Sequence, residues 1–246
     1  FNEHISIFDE YLGIKSNHIK DISKRIDFIA DKSALNKELK KKFKEIYIGI
    51  FQRSIISYRL AIESKIINLL KKLELKVPYL ASDPLLMLSG KKIDKCLGMV
   101  THSPIHQDWA SMQSSQNSIV VWLPLTNYGT KEFSTITIWP GSHKYGLRPL
   151  VKHKWFGSVD QKDSAILDNK PITLKGKPGD IIIFSSLLLH KTTSIKSNTG
   201  SRITLQFRYG DYLDNLLKNN KGYFNYDHCK PLRTIDKSKL KFLPKC

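Results

Sequence analysis

Residues 179–209 read GDIIIFSSLLLHKTTSIKSNTGSRITLQFRY, two strand-like runs joined by a polar turn that contains Gly200. Short runs rich in Ile, Phe and Leu and bounded by Gly, Asn and Ser are strand signals. The second run alternates. Because successive strand side chains face opposite ways, Ile203, Leu205, Phe207 and Tyr209 form an apolar back, and Arg202, Thr204, Gln206 and Arg208 form a polar front. The first run ends on His190. An inward-facing Arg202 is costly unless an anion takes its guanidinium. This stretch therefore calls for a β-rich fold whose interior holds a charged ligand.

Upstream, further short runs occur at 84–88, 97–100, 118–123, 135–139 and 172–174, separated by turn clusters such as Pro140-Gly141-Ser142. That spacing suits a sandwich, barrel or jelly roll. Residues 1–76 are helical in pattern. An apolar stripe from Phe43 to Leu73 predicts a long amphipathic stretch over 36–75, with Ser33 as a candidate cap and a shorter helix over 19–29. Helices first and strands after make the chain α+β with a mainly β core, the helices covering the outer face of one sheet. The interval 144–170 has few strand signals and reads as a lid loop; residues 213–246 form a basic extension of a single domain spanning 1–246.

A second charged cluster lies at 101–109, THSPIHQDW. An extended H-x-D places His106 and Asp108 on one face, and His190 can supply a third ligand. Two His and one carboxylate with open positions form the donor set of non-haem Fe(II) oxygenases. The anion for Arg202 would then be a dicarboxylate whose 2-oxo acid end chelates the iron. His143, in the turn 140–143, is expected to bond backbone, and His102 to face either the same cavity or away from it.

The net charge of +18 draws attention to nucleic acid. However, the basic residues are overwhelmingly Lys, spread along the chain, whereas specific readers rely on Arg forks. The expectation is no specific nucleic-acid partner, with Lys on solvated helix faces and a leaning towards an anionic small-molecule substrate. No apolar run reaches the roughly 18–20 residues of a membrane span. The opening FNEHISIF lacks a basic-then-apolar leader pattern. Three widely spaced cysteines, Cys96, Cys229 and Cys246, fit neither a disulfide framework nor a zinc ribbon, so the expected compartment is the cytoplasm.

The ordered motifs PIHQDW, VVWLPL, WPGSHKYG and GDIIIFSSLLLHKTTSIKSNTGSRITLQFRY resemble the phytanoyl-CoA dioxygenase family over about residues 84–209. The resemblance implies a double-stranded β-helix (the cupin-like jelly roll), Fe(II) held by His106, Asp108 and His190, and 2-oxoglutarate and O2 as cosubstrates. It implies that Arg202 holds the distal carboxylate of 2-oxoglutarate, assisted by Thr192, with Trp122 against the cosubstrate. Because the family includes halogenases in which a small residue replaces the carboxylate, Asp108 implies hydroxylation with release of succinate and CO2. One departure is Phe133-Ser134-Thr135-Ile136, where the family has a Gly-Ala/Pro-Leu step; this concerns pocket shape. Trp109, Gln113, Gln116 and Arg148 are substrate-contact candidates by nearness to the motifs. Two other readings stand beside this one. A non-oxidative cupin-like metal protein, an isomerase or sugar-binding module, needs the triad but not Arg202. A basic binding protein with a vestigial site needs neither.

Overall fold

The structure is a computed structural model that describes residues 2–214 apart from 51, 99–100, 113, 131–132, 152–157 and 194–199. Helices α1 (Asn2–Leu12), α2 (Ile22–Ala34), α3 (Lys37–Glu45), α4 (Ile55–Ala61) and α5 (Ser64–Lys72) come first, with a π-helical turn at Ile46–Ile50. The 36–75 stripe is thus several pieces and not one helix. Asn36 caps α3 by accepting from the Glu38 and Leu39 amides, and Ser54 caps α4. Ser33 lies inside α2, whose cap is Asp21. Each such cap satisfies amides that a helix start would otherwise leave orphaned.

The strands are β1 (Pro78–Leu80), β2 (Leu85–Ser89), β3 (Ile119–Pro124), β4 (Thr135–Ile138), β5 (Leu150–Val151), β6 (Ser158–Val159), β7 (Ile172–Thr173), β8 (Ile182–Ser185), β9 (His190–Thr193) and β10 (Arg202–Asp211). Between them stand α6 (Lys91–Leu97), α7 (Trp109–Met112) and α8 (Ser164–Leu167). Leu97, expected in a strand, ends α6, and Gly98 closes that helix in the left-handed conformation. The apolar run 181–189 is likewise not continuous: β8 ends at Ser185, a turn follows, and β9 begins at His190.

All strand pairs are antiparallel. The larger sheet runs β1-β10-β3-β8, with β2 also on β10; the smaller runs β7-β4-β9. The two faces of β10 separate as its alternation predicts. Ile203, Leu205, Phe207 and Tyr209 join one core with Phe8, Ile26, Ile29, Phe43, Ile66 and Leu70 of the helices. Burying each large side chain contributes about 1.5–3 kcal/mol, so this layer fixes the helices against the back of the sheet. Tyr209 Oη also donates to the Ala61 carbonyl at 2.6 Å. A second cluster, Val120, Trp122, Phe184 and Ile136, brings residues of the larger and smaller sheets together. The lysines of α2, α3 and α5 are exposed or half-buried, the solvated faces expected of them.

The segment 144–170 is not strand-free: β5, β6 and α8 lie in it. Val159 N–H donates to the Ile105 carbonyl, and Val159 and Ala165 pack with Ile105, Trp139 and Leu189, so its described part is anchored behind the strand that carries His190. Residues 215–246, which hold Cys229 and most of the expected extension, lie outside the described residues.

Candidate metal and cosubstrate site

His106 and His190 face one another as an antiparallel bridge: each backbone N–H donates to the other's carbonyl, at 3.0 and 3.1 Å. Residues opposite one another in such a pair project to the same face, and their ring centroids are 4.2 Å apart. The chain does not stay extended to Asp108. It turns, and the Asp108 carbonyl accepts from Ser111 and Met112 at the start of α7. The carboxylate still meets the two imidazoles, Oδ1 lying 3.8 Å from His106 Nε2 and Oδ2 3.6 Å from His190 Nε2.

The imidazoles are oriented for metal ligation. His106 Nδ1 bonds the Pro104 carbonyl at 2.8 Å and His190 Nδ1 the Leu188 carbonyl at 3.0 Å. A carbonyl only accepts, so each Nδ1 carries the hydrogen and each Nε2 presents a lone pair towards Asp108. Burial, helped by His190, pushes the His106 pKa down to about 3, so that ring is a neutral donor near neutral pH. Burial alone would raise the Asp108 pKa; Arg208, His190 and His106 outweigh it and hold the carboxyl below the ordinary range. Two imidazoles and one carboxylate, with ligand atoms all within 4.8 Å of one another, fit a divalent cation with open positions.

The front of β10 supplies the surroundings. Gln206 Nε2 donates to Asp108 Oδ2 at 2.8 Å and Arg208 Nη2 to Oδ1 at 2.5 Å. Arg202 behaves differently. It is 2% exposed, and its Nε and Nη1 have no hydrogen-bond partner among the described residues. Its guanidinium carbon lies 5.4 Å from the centroid of the Trp122 ring, and burial pushes its pKa down to about 10. A buried, unpaired guanidinium is expensive, and an anion such as the distal carboxylate of 2-oxoglutarate satisfies it. The residues present therefore fit both groups.

The other expected contacts fare variously. The Thr192 hydroxyl bonds Ser103 Oγ at 2.9 Å, not the Arg202 guanidinium. Trp109 is buried and its indole N–H donates to the Ser115 carbonyl at 3.0 Å, so it is a packing residue of α7. Arg148 is committed to Asp163 through Nε at 2.9 Å and to the Tyr145 carbonyl. Gln116 is exposed, and Gln113 lies outside the described residues. His143 is exposed; the side chain that ties down its turn is Ser142, which donates to the Trp139 carbonyl and accepts from the Leu189 amide.

Sequence reasoning missed the roles of three residues. Gln107, the middle residue of H-x-D, donates from Nε2 to the carbonyls of Gly146 and Leu187 and accepts from the Arg148 amide. It is 1% exposed, and an amide between two candidate metal ligands gives no sign that it faces the opposite way. The Gln206–Arg208 clamp was legible as a polar strand face, but the carboxylate it grips was not.

The chain matches the phytanoyl-CoA dioxygenase (PhyH) family profile over residues 24–204. No curated protein matches it. Among solved structures, EctD from S. alaskensis with 2-oxoglutarate and 5-hydroxyectoine shares 15% identity at a TM-score of 0.52, covering 85% of this chain and 68% of that one. The epimerase SnoN in complex with Fe3+, alpha ketoglutarate and nogalamycin RO shares 16% identity at a TM-score of 0.50, covering 64% and 59%. The chain spans 57–64% of the length of SnoN and of EvdO2 from Micromonospora carbonacea. At such identities these likenesses speak for the fold. The profile, matched over most of the sequence and enclosing the His106–Asp108–His190 cluster, places this chain in the phytanoyl-CoA dioxygenase family.

Proposed function

We propose that this protein is an Fe(II)- and 2-oxoglutarate-dependent dioxygenase that hydroxylates an unactivated C–H bond of a small, anionic molecule. Its two sheets would form the faces of a double-stranded β-helix. The observation that carries the proposal is Arg202: the fold buries a guanidinium, stacks it near Trp122 and leaves Nε and Nη1 unpartnered. A cupin-like metal protein without a cosubstrate has no use for it.

In this reading His106 and His190 donate from Nε2 and Asp108 adds the charge. Gln206 and Arg208 fix the carboxylate plane. Arg202 anchors the cosubstrate's far end, with Trp122 alongside. Thr192 contributes through Ser103: a hydroxyl pair uses one hydrogen internally and keeps the other for a ligand. Bound there, iron supplies the chemistry that couples decarboxylation of 2-oxoglutarate to substrate oxidation. The substrate class follows from charge. Arg208 flanks Asp108 with 15% of its side chain exposed, and the chain as a whole is strongly cationic.

Anaerobic addition of Fe(II) and then 2-oxoglutarate should give a weak visible absorption band, absent in Asp108→Ala. A screen of metabolites for stimulated succinate formation should then find the substrate, with a product heavier by one oxygen atom. A product of unchanged mass would favour epimerisation, the activity named for SnoN. Neither band nor succinate would remove the oxygenase reading.

A further inference from the structure

A second buried nitrogen stands without a partner near Arg202. His102 Nε2 makes no hydrogen bond among the described residues. The residues on either side of it are pinned. Thr101 donates to Asp94 Oδ1 from its amide at 2.8 Å and from its hydroxyl at 2.6 Å, which ties the loop to α6. Ser103 is tied to Thr192 of β9 through its hydroxyl and its carbonyl. Between these two anchors, His102 turns Nδ1 towards Asp94 Oδ2, at 3.7 Å. The ring is thus oriented by a carboxylate on one side and empty-handed on the other. Arg202 lies near enough for its positive charge to act on the imidazole.

Resting on the function proposed above, we infer that His102 is a second donor to the cosubstrate, holding the distal carboxylate of 2-oxoglutarate together with Arg202. A carboxylate offers about four lone-pair sites, and a guanidinium edge takes two of them. His102 Nε2 supplies a third contact. With Nδ1–H directed at Asp94, the neutral ring has only a lone pair at Nε2, so it donates there only when protonated. In the unliganded protein burial holds the His102 pKa down, with Arg202 adding to burial and Asp94 opposing both. A bound dianion offsets Arg202 and favours the imidazolium. The proton comes from solvent, so cosubstrate binding takes up a proton. The groups acting on this ring are Asp94 from α6 and Arg202 from β10. Asp94 and Arg202 also act on Tyr47 of the π-helical turn, whose phenol burial keeps neutral.

The test is calorimetric titration of 2-oxoglutarate into the full chain loaded with Mn(II), across pH 6 to 8.5, in wild type, His102→Leu and His102→Gln. His102→Leu should weaken 2-oxoglutarate binding about tenfold or more, the scale of one charge-assisted hydrogen bond, with Mn(II) affinity unchanged. Wild-type affinity should fall as pH rises through the His102 titration. His102→Gln, which keeps a donor that does not titrate, should show an intermediate affinity and a flat profile. Wild-type-like affinity in His102→Leu, or the same pH profile in wild type and His102→Gln, overturns the inference. Should His102→Leu not fold, the His102→Gln profile decides alone. If the Mn(II)-loaded wild type takes up no 2-oxoglutarate, the oxygenase reading itself has failed; intact binding that ignores His102 removes only the second donor.

Discussion

Arg208 Nη2 and Asp108 Oδ1 are 2.5 Å apart in a site where the carboxylate is 1% exposed. The guanidinium therefore serves as counter-ion to the residue expected to bind the metal. Breaking a buried pair by removing one partner costs about 3–5 kcal/mol, because the survivor is left charged and dry. Arg208→Met should accordingly lower the melting temperature in the presence of a chelator, and added Mn(II) should recover most of the loss. The measurement is a pair of thermal melts per protein. A variant that melts like wild type without metal would show that Arg208 is not Asp108's counter-ion.

Arg202 predicts the opposite sign. Its Nε and Nη1 have no hydrogen-bond partner among the described residues, so replacing it by a similar apolar shape removes a cost from the unliganded fold. Arg202→Met should leave the melting temperature unchanged or higher while weakening 2-oxoglutarate binding by at least a hundredfold. Mn(II) affinity should stay near wild type. Equal loss of metal and cosubstrate binding would contradict its assignment as an anchor for the cosubstrate alone.

Gln107 ties the H-x-D segment to two loops with three hydrogen bonds. Gln107→Leu keeps the volume but strands two carbonyls and an amide, a loss of roughly 1–3 kcal/mol for each group that water does not reach. Denaturant unfolding should read that loss, and limited proteolysis should show earlier cleavage around 146–148.

Acid should destabilise the metal-free protein from an unusually high pH. The His106 pKa lies near 3 in the fold against an ordinary 6.5. Between those values the unfolded chain binds the extra proton, so stability is full above about 6.5 and is lost as pH falls towards 3. The slope is at most about 1.4 kcal/mol per pH unit. Melts in chelator from pH 7.5 to 5 should fall more steeply for wild type than for His106→Gln.

Much of this protein is legible in its sequence. The alternation of Arg202–Tyr209 assigned both faces of β10, because a strand repeats every two residues whatever surrounds it. His106, Asp108 and His190 were readable as a donor set from residue type alone. Periodicity overreached where local breaks intervene. The stripe over 36–75 preserves an apolar rhythm across several helices, yet the π-helical turn at Ile46–Ile50, the cap at Ser54 and the break after Ala61 divide it; Leu97 looked like the start of a strand and is the last turn of α6.

What the sequence determined by itself was therefore the chemistry of the parts: which side chains can ligate, which strand face is cationic, which segments are amphipathic. The tertiary structure alone decided the pairings. Arg208 rather than Arg202 holds Asp108, Ser142 rather than His143 fastens its turn, and Arg148 is tied to Asp163. Such choices depend on distances between elements far apart in the chain. Hydrogen bonds and ion pairs lapse within about an ångström of misplacement, and no local pattern of residues carries that distance.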